Sequence, residues 1–301
     1  MCGIVGIYLK NPALGPRLGE LFEPMLVAMT GRGPDSAGFA VYGTVLEPGV
    51  LKLNLQCLHE GYAWQMLADA LGKTFDAELT LTRNDNTATL ILKADEPSLR
   101  AYLRDQHPDV SLLSAGRSIE IYKEIGLPQK IASQFSLTAM QGSHVIGHTR
   151  MATESTVTIE GSHPFSSGLD VCLVHNGSFS NHNRLREQLR REGIEFQTEN
   201  DTEVAAGYLT WRLREGDDLK TALHHALDDL DGFYTLTIGT RDGFAVVRDP
   251  IGCKPAILAE TDDYVAIASE YQALAHLPGI EGAKLWEPEP ATVYTWSHQA
   301  A

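Results

Sequence analysis

Two rhythms of apolar residues alternate along the chain. Near the start, Cys2-Gly-Ile-Val-Gly-Ile-Tyr-Leu9 and Ala37-Gly-Phe-Ala-Val-Tyr-Gly43 are short apolar, β-branched or aromatic runs bounded by glycine and proline. Such runs have the form of buried strands. Between them, from about Arg17 to Met29, Leu18, Leu21, Phe22, Met25, Leu26 and Met29 recur at intervals of three and four. That spacing places them on one helix face, which is expected to pack on a sheet.

From about residue 62 to 136 the pattern changes to alternating helical and strand signals, with a hairpin over 77–92 and a helix over 96–104; this stretch reads as an α/β insertion. Strands over 145–148 and 171–175 then lead to helices near 182–191 and 203–214. Five strand-like runs close the chain, at 233–238, 243–247, 256–258, 265–268 and 291–296, separated by polar or glycine turns in the manner of an antiparallel meander. Strands and helices segregate, so the fold class is α+β, one domain over 1–301 carrying the insertion.

Composition removes several function classes. The formal charge of -15 supplies no basic field for phosphates, so neither nucleic acid nor an anionic membrane is an expected partner. No apolar run reaches the about 18 residues of a membrane span, and the expected location is the cytoplasm. Four scattered cysteines and eleven histidines show no metal-ligand spacing, so no metal is expected.

The chemistry starts at Cys2. Loss of Met1 leaves a thiol and a free α-amine on one residue. An α-amine ordinarily has a pKa of about 7.7 to 8.0 and a thiol about 8.5, so proton transfer between them costs roughly 1 kcal/mol or less. The amine can therefore serve as base, directly or through one water. The alternative is a buried structural cysteine at the start of a strand.

Six further segments decide between these readings. Cys2-Gly-Ile-Val-Gly-Ile is followed by Gly31-Arg-Gly-Pro-Asp-Ser-Ala-Gly38, His148-Thr-Arg-Met-Ala-Thr153, His175-Asn-Gly177 and Asn200-Asp-Thr-Glu203, with Asp231-Gly-Phe233 and Arg248-Asp-Pro-Ile-Gly-Cys-Lys-Pro255 in the tail. Their order resembles class II glutamine amidotransferases across nearly the whole chain. The resemblance implies a four-layer αββα N-terminal-nucleophile hydrolase fold, two antiparallel sheets between helix layers. It also implies that Cys2 attacks the side-chain amide of L-glutamine through a thioester, with Asn176 and Gly177 stabilising the oxyanion. Arg150 would grip the α-carboxylate with its planar fork, and Asp201 would hold the α-amino group. Arg32 and Thr153 complete the set at the glutamine pocket, Arg32 with Asp35 shaping its loop rather than reacting. Each residue also has a plainer reading: an ion pair for Arg150, a helix cap for Asp201, a turn for Asn176-Gly177. His148, His163 and His175 are expected to order loops rather than to catalyse.

The amidotransferase pattern runs to the end of the chain, and no phosphate-cradling loop accompanies it. An acceptor site is therefore expected on a partner. The wording of residues 148–155 and 118–127 is most similar to stand-alone amidotransferase subunits of glutamate-synthase-like complexes, including the small subunit of N-methylglutamate synthase. By that resemblance the chain itself holds no cofactor, while FMN and iron–sulfur clusters sit on a partner synthase subunit; the insertion, which departs from the shorter amidotransferase domains attached to phosphoribosyl transferases or sugar isomerases, is expected to dock that partner. Two other readings stay open: an N-terminal-nucleophile amidase with another substrate, and a catalytically silent scaffold.

Overall fold

The computed structural model describes residues 2–152 and 157–298; Thr153 lies outside them. Along the chain run β1 (Gly3–Leu9), α1 (Leu18–Ala28), β2 (Ser36–Tyr42), β3 (Leu51–Gln56), α2 (Trp64–Phe75), β4 (Leu79–Asn84), β5 (Thr87–Leu92), α3 (Glu96–Gln106), β6 (Ser111–Gly116), β7 (Ile119–Ile125), α4 (Pro128–Gln134) and β8 (His144–Arg150). There follow β9 (Phe165–Gly168), β10 (Val171–Phe179), α5 (His182–Arg191), α6 (Asp201–Arg214), α7 (Leu219–Asp229), β11 (Gly232–Thr240), β12 (Gly243–Arg248), β13 (Ile257–Glu260), β14 (Tyr264–Ala268), β15 (Lys284–Trp286) and β16 (Thr292–Ser297).

The strands form a seven-stranded sheet, β15-β13-β14-β1-β8-β2-β7, a five-stranded sheet, β16-β12-β11-β10-β9, and a four-stranded sheet, β4-β5-β3-β6. Alternation along β1 shows how the layers stack. Val5, Ile7 and Leu9 meet Phe22, Met25 and Leu26 of α1 and Ile131 of α4. Ile4 and Tyr8 turn the other way, with Tyr42 and Ile146, onto Cys172, Val174, Phe244 and Val246 of the second sheet. The far face of that sheet, through Leu173, Leu236, Ile238 and Val247, packs on Leu189 of α5, Val204 and Leu209 of α6, and Leu223 of α7. The order helix, sheet, sheet, helix is the four-layer αββα arrangement. Burial of both sheet faces explains the continuous apolar runs in the sequence.

Two expectations change. The extra body is the third sheet with α2 and α3, so it begins at β3 and ends at β6, earlier at both ends than 62–136; β7 returns to the first sheet beside β2, and α4 joins the main core. Nor do the tail strands form one meander. Hairpin β11–β12 and strand β16 lie in the second sheet, hairpin β13–β14 in the first. Asp249 marks the crossing: its carboxylate accepts from the amides of Tyr234 (2.9 Å), Ile251 (2.7 Å) and Gly252 (3.2 Å), turning the chain out of the second sheet. Among the described residues no helix is long and apolar enough to cross a membrane.

Candidate active site

Cys2 stands half-buried at the entry to β1, and its backbone is gripped from two sides. Its carbonyl accepts from Arg32 Nε (2.9 Å) and Asn176 Nδ2 (3.2 Å). The sulfur lies 3.9 Å from the Met151 carbonyl oxygen. Arg32 is in turn paired through Nη1 with Glu270 Oε1 at 2.7 Å, so this arginine positions the Cys2 backbone. The other oxygen of Glu270 accepts from Gln272 Nε2 at 2.6 Å. Ser269 Oγ accepts from the Ile4 amide (2.9 Å) and from Asn176 Nδ2 (3.1 Å). The sequence motifs do not single out Ser269 and Glu270. The available signal is a polar Ser-Glu pair directly after the apolar strand 265–268, which the register Val5↔Ala268 sets beside the start of β1.

Asn176 lies in β10 and is nearly inaccessible. Its Oδ1 accepts from His148 Nε2 at 3.1 Å, which fixes the orientation of the amide. Both of its N–H bonds are then committed, to the Cys2 carbonyl and to Ser269. To donate to an oxyanion, the side chain must exchange the Cys2 carbonyl for it. Gly177 follows with φ +141, and an added Cβ would strike the Phe233 carbonyl oxygen of β11. Only glycine fits so close an approach of the two strands.

Arg150 ends β8, and Asp201 begins α6; one carbonyl links the two ends. Gly161 O accepts from Arg150 Nη1 (3.2 Å) and from Asn200 Nδ2 (3.2 Å). Asn200 is also the helix cap, its Oδ1 accepting from the Thr202 amide at 2.9 Å. The cap weighed as the plainer reading of Asp201 therefore falls to Asn200, one residue earlier. Asp201 Oδ2 accepts from the Phe179 amide at 3.0 Å, while Oδ1 lies 3.4 Å from Thr202 Oγ1 and 3.8 Å from His175 Nδ1. Its side chain stays 21% exposed, enough to reach a cationic group. Asp35 holds the loop between these groups: its Oδ2 accepts from the Ala152 amide at 2.8 Å, and its own amide donates to the Arg150 carbonyl at 3.1 Å.

Three buried histidines pack behind Asn176. The rings of His148 and His163 are 4.0 Å apart, those of His163 and His175 6.3 Å. Thr202 Oγ1 joins His163 Nε2 (2.9 Å) to His175 Nδ1 (3.0 Å). Burial is the first cause of their low pKa values, about 3 for His148, about 4 for His175 and well below the usual 6.5 for His163. They are neutral hydrogen-bonding groups near pH 7, as a loop-ordering role requires. The 900 Å³ cavity between the extra sheet and the β11–β12 turn contains none of these groups; Leu169, Leu213 and Trp296 line it.

A cysteine held at the mouth of two antiparallel sheets, between helix layers and beside Asn-Gly, defines the N-terminal-nucleophile class of amide hydrolases. Residues 148–276 match the family model described as a glutamine amidotransferase domain. The chain is 54% identical over its whole length, and that of its relative, to the glutamine amidotransferase-like protein GlxB of Rhizobium meliloti. A putative glutamine amidotransferase of Methanothermobacter thermautotrophicus is 32% identical, with 98% of this chain and 99% of that one covered. Among solved structures, the glutamine phosphoribosylpyrophosphate amidotransferase of B. subtilis shares the fold at TM-score 0.62 and 22% identity, over 98% of this chain and 47% of that one. The chain belongs to the class II glutamine amidotransferases.

Proposed function

We propose that this chain hydrolyses the side-chain amide of L-glutamine and delivers the ammonia to a partner subunit. The supporting observation is the double grip on the Cys2 carbonyl by Arg32 and Asn176, which fixes a thiol-bearing residue beside the Asn176-Gly177 pair and, with its sulfur 3.9 Å from the Met151 carbonyl oxygen, just past the end of β8. With Met1 removed, the Cys2 α-amine takes the thiol proton and the sulfur adds to the amide carbon. The Gly177 amide and Asn176 Nδ2 receive the oxyanion. Collapse breaks the carbon–nitrogen bond, the proton leaves with ammonia, and water hydrolyses the thioester to glutamate. Arg150 takes the α-carboxylate and Asp201 the α-ammonium, a pairing that suits an amino-acid backbone and disfavours unrelated amides. Removing one oxyanion donor should lower kcat about 10² to 10³-fold.

The acceptor side belongs to a partner resembling the FMN and iron–sulfur portion of glutamate synthase, and the working location is the cytoplasm. What supports this finer reading is the wording of residues 118–127 and 148–155 together with the extra sheet. The first test is intact-mass analysis of the native protein before and after 6-diazo-5-oxo-L-norleucine, with peptide mapping. Loss of Met1 and a single adduct on Cys2, absent from Cys2→Ala, is the expected result. Retained Met1 or no labelling, even in the native complex, would favour the silent scaffold instead.

A further inference from the structure

Between Arg150 and His163 the described chain resumes at residue 157 and makes a tight loop, in which the Gly161 amide donates to Thr158 Oγ1 (3.1 Å) and Ser162 Oγ to the Thr158 carbonyl (2.8 Å). Three consecutive carbonyls of this loop are held by side chains from three elements. Gly161 O is shared by Arg150 and Asn200, the groups flanking the glutamine site. Glu160 O and Ser162 O, on either side, both accept from Lys123 Nζ of β7, at 3.1 and 2.9 Å. Lys123 is 6% exposed, its ammonium lies 4.8 Å from the Phe165 ring centre, and among the described residues it forms no ion pair. A buried ammonium whose hydrogen bonds go to two backbone carbonyls is a costly way to hold an ordinary loop.

The other side of Lys123 faces the extra sheet. Its carbonyl accepts from Gln56 Nε2 of β3 at 3.2 Å, and Gln56 also donates to Asn86 Oδ1 at 3.2 Å, in the β4–β5 turn. Asn86 Nδ2 in turn holds Glu124 Oε2 at 2.8 Å. The extra sheet thus grips β7 at the residue whose side chain fixes the 158–162 loop.

We propose that Lys123 is a positioning residue for glutamine binding, through which the extra sheet sets the placement of the Arg150 and Asp201 clamp. The inference rests on the glutaminase reading above. It assigns the extra sheet a task in substrate affinity: a shift of β3 against β7 moves the Glu160–Ser162 carbonyls, and with them the partners of Arg150 and Asn200. Lys123 touches neither the substrate nor the sulfur.

The test compares Lys123→Met, Lys123→Arg and Gln56→Leu with the wild type, using 6-diazo-5-oxo-L-norleucine, iodoacetamide, and amide hydrogen exchange over residues 157–163 and over β1. In Lys123→Met the concentration of the glutamine mimic giving half-maximal labelling rate should rise about tenfold, the factor corresponding to one lost charge-assisted hydrogen bond. Its saturating rate, and alkylation by iodoacetamide, which has no amino-acid backbone, should stay unchanged. Lys123→Arg should recover most of the loss, and Gln56→Leu should show a smaller change of the same kind. Exchange should quicken over 157–163 but not over β1. Unchanged half-saturation with unchanged exchange overturns the proposal, as does an equal fall with both reagents. If Lys123→Met does not fold, Gln56→Leu decides by the same two readouts, half-saturation and exchange. A wild type that takes no label sinks the glutaminase reading, and exchange over 157–163 then still decides whether Lys123 positions the loop.

Discussion

The two main sheets and the extra sheet are held together in different ways. In the main body both faces of β1 and β8 bury apolar side chains, against helices on one side and the partner sheet on the other. In the extra sheet only one face does so, where Leu53, Leu55, Leu90 and Leu92 meet Leu67 and Leu71 of α2 and Leu99 of α3. Its other face is polar yet also buried: Lys52, Asn54 and Gln56 of β3 and Thr87 and Thr89 of β5 are covered by the main body. Lys52 pairs with Glu120 at 3.0 Å, Asn54 Oδ1 accepts from the Ile121 amide at 3.0 Å, and Thr89 Oγ1 donates to Glu120 Oε2 at 3.2 Å. Hydrogen bonds specify a docking geometry more sharply than apolar contact does, and they contribute less net stability. The extra sheet is therefore placed accurately and attached lightly.

Acid offers the largest test of that contrast. His144, His148, His163 and His175 are all buried in the main body, and burial holds His144 and His148 near pKa 3 and His175 near 4. The unfolded chain binds protons at these sites near the usual 6.5, so their contribution is complete above that pH and is lost as pH falls towards about 4 for His175 and about 3 for His144 and His148. His144, His148 and His175 should each cost about 2 kcal/mol of stability by about pH 5, with His163 acting in the same direction, read from denaturant titrations. Hydrogen exchange should then show β8 and β10 opening more readily while β3 and β5 change little; the reverse order would break the comparison. Phe244→Ala, in the layer between the main sheets, should cost about 3 to 5 kcal/mol in global stability. Asn54→Ala, which strands the Ile121 amide, should cost about 1 to 3 kcal/mol. Protease sensitivity in that variant should rise in the extra sheet alone, and a uniform rise would show that the polar seam is no separate boundary. The smallest effect belongs to the core's own polar corner. Ser269→Ala should lower kcat by about tenfold, with the half-saturating glutamine concentration unmoved, since it supports Asn176 and Ile4 rather than the substrate.

How much of this was legible in the sequence follows the same division. Where burial is apolar, period and composition located the elements: α1, α5, the β4–β5 hairpin and α3 all fall where the pattern puts them. The sequence motifs also named residues that the structure gathers at one place, Cys2, Arg32, Asn176 and Gly177 among them. What stayed hidden is polar and nonlocal. β3, with Leu51, Leu53 and Leu55 alternating with Lys52, Asn54 and Gln56, has a half-buried pattern whose polar half gives no hint that it is covered. Ser269 and Glu270 sit beside Cys2 only because β14 pairs with β1, a register no local period reveals. The tail hairpins carry similar patterns in both sheets, so only Asp249, through its backbone contacts, shows where the chain changes sheet.

Asp170 bears on any attempt to shorten this chain. It lies on the turn between β9 and β10, 4% exposed, and its carboxylate accepts from the amides of Arg117 (2.8 Å), Ser118 (2.8 Å) and Ile119 (3.2 Å) and from Ser118 Oγ (3.0 Å). Those donors belong to the β6–β7 turn, and Gly116 has no side chain because Asp170 occupies the space where one would stand. A minimal amidotransferase made by joining β2 to β7 and discarding the extra sheet would remove the Arg117 and Ser118 donors and leave the buried carboxylate with the Ile119 amide alone of these four. Excision of the sheet must therefore be accompanied by replacement of Asp170 on a strand turn more than fifty positions away.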